Sequence, residues 1–279
     1  MFKIKRIRYP LFTTLALAAI LGLAACTLPT GPGNADAPPL PGSTWTNGTM
    51  PSSDHWNSVT YGNGVFVAVA NSGNNIAATS SDGITWTART LPNTAYYWAS
   101  VTYGNEVFVA VDQQTDQAAT STDGITWTAR TVPNSVGCYA VTYGNGVFVA
   151  VGPGDQAATS TDGITWTART LPTSAYWYAV TYGNGVFVAI ADLIGKAATS
   201  TDGITWTTRT LPSSIDCYSA TYGNGIFIAV DDSSNQAATS RDGITWTPQT
   251  ILGQGGWSAV TYGNGIFVAV SYDKAATSP

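Results

Sequence analysis

The stretch Val-Thr-Tyr-Gly-Asn-Gly-Val-Phe-Val-Ala-Val recurs six times with small substitutions. Its tyrosines fall at Tyr61, Tyr103, Tyr143, Tyr182, Tyr222 and Tyr262, a period of 39 to 42 residues. This period constrains the fold more than any other feature. Each copy is one supersecondary unit, too small to bury its own apolar side chains, so the copies must stack on one another.

Each copy divides into four short strands. Asn63-Gly64 suits a two-residue type I′ turn, whose central residues both need positive φ, and Asp82-Gly83 predicts the same turn later in the unit. Strand 1 then ends in Val59-Thr60-Tyr61 and strand 2 is Val65-Phe66-Val67-Ala68-Val69. Strand 3 is Ala77-Ala78-Thr79-Ser80, and strand 4 runs from Ile84 through Trp86 to Arg89. Strand 2 lacks polar alternation, which predicts burial on both faces. Four-stranded units of about 40 residues predict a β-propeller. The last copy reads Ala275-Ala276-Thr277-Ser278-Pro279, while residues 42–51 align without a gap on residues 83–92. The expected fold is therefore all-β: a six-bladed β-propeller of four-stranded antiparallel blades over residues 42–279, with the sixth blade closed by the N-terminal strand.

The Ser-x-Asp-Gly-Ile-Thr-Trp stretches that begin at Ser80, Ser121, Ser160, Ser200 and Ser240 resemble the Asp-box of sialidase-type (BNR) repeat propellers. The resemblance spans nearly all of residues 42–279. It implies a fold rather than a reaction, because that family holds sialidases, other glycosidases and binding proteins alike, with the box on the face away from the ligand. This chain has one residue fewer between the Asp and the Gly than the common sialidase spacing. It is more similar to bacterial repeat proteins that read YGNGVFVAV and STDGITWT.

The N-terminus predicts export. Lys3, Lys5, Arg6 and Arg8 precede an uncharged stretch from Leu11 to Ala25, 15 residues long, which is short for a membrane span and suits a signal peptide over residues 1–25. The ending Leu23-Ala24-Ala25-Cys26 resembles a bacterial lipobox, which implies cleavage before Cys26 and lipidation of that residue. Residues 26–41 then form a tether rich in Pro and Gly, which reaches about 45 Å at about 3.1 Å per residue. The expected location is that of an exported, membrane-anchored lipoprotein of the outer membrane, periplasm or cell surface.

Loss of the signal removes four of eleven basic residues and leaves seven against sixteen acidic ones, a net charge of −9. That balance disfavours nucleic acid and anionic headgroups as partners, so membrane contact is expected through the lipid alone. Cys138 and Cys217 do not make a disulfide framework.

In an up-and-down blade, the Asn-Gly and Asp-Gly turns lie on one face and the strand 2–3 loops on the other. The copies differ mainly at the second face, in loops 71–76, 112–117, 152–156, 191–196, 231–236 and 271–274, and in the links between blades. A constant frame that presents a varied surface suits binding, although loops also drift for want of constraint. The residue that opens strand 1 is Trp56, Trp98, Cys138, Trp177, Cys217 or Trp257. The four indoles, with Tyr97, Tyr139, Tyr178 and Tyr218, are the candidate binding collar for a sugar ring or peptide. The competing expectation is that the indoles plug the narrow inner ends of the blades. Asp112, Asp116, Asp155, Asp192, Asp231, Asp232 and Asp273 read as solvated loop carboxylates without calcium-loop spacing.

His55 is the only histidine and Glu106 the only glutamate. Arg89, Arg130, Arg169 and Arg209 recur once per copy on the outer strand and cannot converge on one carboxylate. The sequence thus predicts no catalytic residues, no metal and no cofactor, and a chain that is not an enzyme. The expected function is that of a monomeric, lipid-anchored binding module for a glycan or exported protein. The alternatives are a divergent sialidase-like glycan hydrolase and an envelope assembly scaffold.

Overall fold

The computed structural model describes residues 48–92, 97–133, 137–191, 195–212, 215–251, 256–271 and 275–278. The signal peptide, Cys26, the tether and residues 42–47 lie outside the described residues. Every regular element among those described is a strand.

The first sheet has the order β1 (Trp56–Gly62), β2 (Val65–Ala70), β3 (Ile76–Ser80) and β4 (Thr87–Thr90). The second repeats it with β5 (Trp98–Gly104), β6 (Val107–Asp112), β7 (Gln117–Ser121) and β8 (Thr128–Thr131). The third and fourth repeats fuse into one seven-stranded sheet, from β9 (Ala140–Gly144), β10 (Val147–Val151) and β11 (Pro153–Ser160) through β12 (Thr167–Gly183) to β13 (Val186–Ala191), β14 (Lys196–Ser200) and β15 (Thr207–Thr210). Then come β16 (Cys217–Gly223), β17 (Ile226–Asp231), β18 (Gln236–Ser240) and β19 (Thr247–Thr250), and a three-stranded sheet of β20 (Ala259–Gly263), β21 (Ile266–Val270) and β22 (Ala275–Ser278). Five hydrogen-bonded sheets result rather than six separate ones. The cause is β12, whose first residues pair with β11 and whose last pair with β13. Its middle stays extended because Ala175 and Tyr176 pair with Gly154 and Pro153.

The Asn-Gly turns have the expected geometry, with Asn63 at φ 47° and Gly64 at φ 78°. The Asp-Gly turns do not. Gly83 has φ 72°, but Asp82 is not among the positive-φ residues, and the outer strand starts only at Thr87 rather than Ile84. The side chains explain the wider turn. Asp82 Oδ1 accepts the N–H groups of Ile84 and Thr85 at 2.8 Å each, and Ser80 Oγ accepts that of Gly83 at 2.8 Å. Trp86 Nε1 donates to Gly83 O at 3.0 Å, so the turn's backbone is satisfied internally. The same bonds recur around Asp123, Asp162, Asp202 and Asp242.

The core lies between the sheets. Val67, Val69 and Ala77 of the first meet Trp98, Val101, Phe108 and Ala110 of the second, and analogous clusters fill the later junctions. Inner strands follow one another as β1, β5, β9, β12, β16 and β20. At each step the new Tyr ring covers the preceding Gly, so that a Cβ on Gly62 would collide with Tyr103, and one on Gly104 with Tyr143. Asn63 Nδ2 also reaches Thr122 O at 3.3 Å, which places the Asn-Gly and Asp-Gly turns on one face as expected.

The junction from the last sheet back to the first differs among the described residues. Gly124, Gly163, Gly203 and Gly243 each sit against a valine of the preceding repeat, whereas Gly83 has only Phe66 of its own repeat nearby. Tyr61 is 40% exposed. The clasp expected from residues 42–51 also needs correction where it is described. Its register puts Gly48 opposite Ala275, but Thr49 instead forms a parallel bridge with Thr85 and its N–H donates to Ile84 O at 3.1 Å. Met50 packs with Trp56, Ala68 and Ala78 and covers the outer side of the first sheet.

Candidate functional site

The indole collar does not form. Trp98 and Trp177 are 0% exposed, Trp257 1% and Trp56 7%; the first three lie in clusters between successive repeats, and Trp56 packs with Ala68, Ala78 and Met50 on the first sheet. Cys138 and Cys217 occupy the same position in two other junctions as buried thiols. The wedge between sheets is wide enough at this level for an indole, and burial of its large apolar area outweighs display on the surface. The competing expectation, that these residues fill the inner ends of the blades, describes what they do.

The aromatic surface comes instead from the next residue. In four inner strands the pairing register shifts here, between Trp56 and Ser58, Trp98 and Ser100, Trp177 and Ala179, and Cys217 and Ser219. Such a bulge leaves one residue out of the ladder and re-aims its side chain. The extra residues are Asn57, Ala99, Tyr178 and Tyr218, and Tyr139 holds the same offset from Cys138. Three of them stack. The Tyr139 and Tyr178 rings are 4.8 Å apart at 11°, and those of Tyr178 and Tyr218 are 4.5 Å apart at 18°. Tyr176, half exposed on the extended middle of β12, lies 6.4 Å from Tyr178. Tyr139, Tyr178 and Tyr218 of the expected collar are thus brought together across three successive repeats. Tyr97 is not part of the stack. Its N–H donates to Asp112 Oδ2 at 2.7 Å.

Asp112 and Asp231 also depart from expectation. They are 1% and 0% exposed, not solvated. Asp112 Oδ1 accepts from the N–H groups of Gln114 and Thr115 and from the Thr115 hydroxyl, at 2.8 to 2.9 Å. Asp231 does the same with Ser233 and Ser234, and its Oδ2 takes the Asp216 N–H at 2.9 Å. Each carboxylate ties the strand 2–3 loop to the link that enters its own sheet. Sequence reasoning missed this role, although Asp is a residue whose side chain takes the backbone N–H two positions on in an Asx turn, as Asp112 does with Gln114. Among the described residues, no three of His, Cys, Asp and Glu are grouped to hold a metal ion.

The Asp-turn carboxylates have pKa values below the ordinary Asp value. For Asp82, Asp123, Asp202 and Asp242 the main cause is the N–H of the Thr three residues on, while at Asp162 burial is the largest single influence and raises the pKa, but the hydrogen bonds together outweigh it. These groups are spent on their own turns, on the face away from the tyrosines.

No protein-family model and no curated protein matches the chain. Solved structures do. A virginiamycin B lyase from Staphylococcus aureus is 16% identical with a TM-score of 0.69, over 80% of this chain and 84% of that one. A streptogramin B lyase is 16% identical with a TM-score of 0.72, over 81% and 80%. YCF48 bound to D1 peptide is 15% identical with a TM-score of 0.63, over 85% and 81%. The expectation of a chain that is not an enzyme is corrected here, since its structural neighbours include a lyase. Identities this low establish the fold and leave the reaction open. The chain has an all-β propeller fold, of a kind found both in an enzyme and in a protein that binds a peptide.

Proposed function

We propose that this chain is a ligand-binding propeller of the bacterial envelope whose site is the loop face around Tyr139, Tyr178 and Tyr218. The observation that carries this reading is the three-ring stack, with Tyr178 and Tyr218 on bulges of inner strands and Tyr139 just before another inner strand, flanked by the loops that differ between copies. Both faces of the Tyr178 ring are taken up by its neighbours, which leaves its edge. An edge suits an extended protein segment better than the face-on stacking a sugar prefers. The neighbour bound to a peptide supports the same ligand class. A glycan is the second reading, favoured by the half-exposed Tyr176 ring.

In this proposal Cys26 carries the lipid, residues 26–41 form the tether, and the propeller, residues 42–279, acts outside the inner membrane. It counts six blades. Peptide and glycan arrays probed with the wild type and with Tyr178→Ala/Tyr218→Ala test the function. The expected result is peptide binding that falls more than about tenfold in the variant, because interface energy concentrates in a few aromatic anchors. Peptide binding that is equal in both proteins refutes the site, and binding to glycans alone moves the conclusion to the second reading.

A further inference from the structure

The outer strands carry a second, independent surface. Arg89, Arg130, Arg169 and Arg209 occupy the same position in four successive repeats, half buried between exposed neighbours. Each Nε donates to the hydroxyl of a threonine on the neighbouring strand: Arg89 to Thr79 at 2.9 Å, Arg130 to Thr120 at 3.0 Å, Arg169 to Thr159 at 2.9 Å and Arg209 to Thr199 at 2.9 Å. That bond fixes the guanidinium plane and leaves both terminal nitrogens of the fork. Among the described residues, no carboxylate forms an ion pair with any of the four. The outer strands contain no acidic residue, and the nearby Asp-turn carboxylates are held by their own backbone.

The fifth repeat shows which part of this arrangement is structural. Gln249 stands where the others have Arg, and its Nε2 donates to Thr239 Oγ1 at 3.1 Å. A neutral amide therefore makes the same contact as a guanidinium, slightly longer and more exposed. The charge is not needed for the fastening, yet four consecutive repeats present it, unpaired and in one orientation.

We infer that the four arginines form a binding track for a linear polyanion that runs around the outer edge of the propeller. One exposed guanidinium holds one anion weakly, since such a pair contributes about 0–1 kcal/mol. Four identical forks, with packed sheets spaced about 10 Å or more apart, act together only on a polymer whose negative groups repeat along its length. The acidic net charge weakens long-range attraction. The track works at short range, through charge-assisted bonds from a fork that matches carboxylate and phosphate oxygens.

Polygalacturonate and long-chain polyphosphate are the probes, with inorganic phosphate as the monomeric control. The wild type should bind at least one polymer at low salt, far more tightly than phosphate, with affinity that falls as salt rises. The four Arg→Gln substitutions together copy Gln249 and should keep the fold while reducing polymer affinity more than about tenfold. Arg130→Gln alone should cost about two- to threefold, and Gln249→Arg should gain a similar factor. Preference for one polymer identifies the anion as carboxylate or phosphate. A wild type that binds neither polymer, a folded quadruple variant that binds as well as wild type, or a Gln249→Arg chain with no gain overturns the track.

Discussion

Glu106 allows the sharpest test of the backbone argument. It holds the second central position of a type I′ turn, with Asn105 at φ 46° and Glu106 at φ 63°, where the five sister turns place a glycine at φ 77° to 85°. A side chain in this left-handed region costs about 1–2 kcal/mol, and glycine's greater freedom in the unfolded chain returns about 0.5–1. Glu106→Gly should thus stabilise the protein by about 1 kcal/mol, which for a domain of this size raises Tm by about 2–4 °C. Gly146→Glu is the reverse experiment. A Cβ on Gly146 meets nothing within 4 Å, so its penalty comes from the backbone alone and should be similar. Circular dichroism melts and guanidinium midpoints of both variants at pH 7 make the comparison. An unchanged or lower Tm for Glu106→Gly, or an unharmed Gly146→Glu, refutes the reasoning.

Two further outcomes follow from the hydrogen bonds. The N–H groups of Val101, Val141 and Val260 donate to Ser58, Ser100 and Ser219 of the preceding sheet at 3.1 to 3.2 Å, and Ala140 holds that position opposite Val180. Ala140→Ser should restore the bond and add about 0.5–1.5 kcal/mol in denaturant unfolding; a loss of stability shows that the site is too tight. The Asp-turn carboxylates have lowered folded pKa values, so their stabilisation is present above the unfolded value of 3.8 and is lost as pH falls through the folded pKa. The guanidinium midpoint should drop between pH 5 and pH 3, less steeply in Asp123→Asn; identical profiles refute the linkage.

The period, the Asn-Gly turns and the unbroken apolar run of strand 2 determined, by themselves, that the chain stacks four-stranded units with both sheet faces buried. These signals are local: a turn needs positive φ, and a buried strand needs apolar side chains on both faces. The same local reasoning misjudged Asp82-Gly83, since the Asp side chain satisfies the turn's N–H groups and no second positive φ is required. The site depended on tertiary structure. Trp98 and Trp177 read as a collar in sequence, but only the width of the gap between sheets decides whether an indole fills it or faces solvent. The stack of Tyr139, Tyr178 and Tyr218 arises from bulges that re-aim Tyr178 and Tyr218, and from the side-by-side order of inner strands about 40 residues apart in the chain. Such alignment is a property of packed sheets rather than of any one copy, and it is why three tyrosines in three separate copies become one surface.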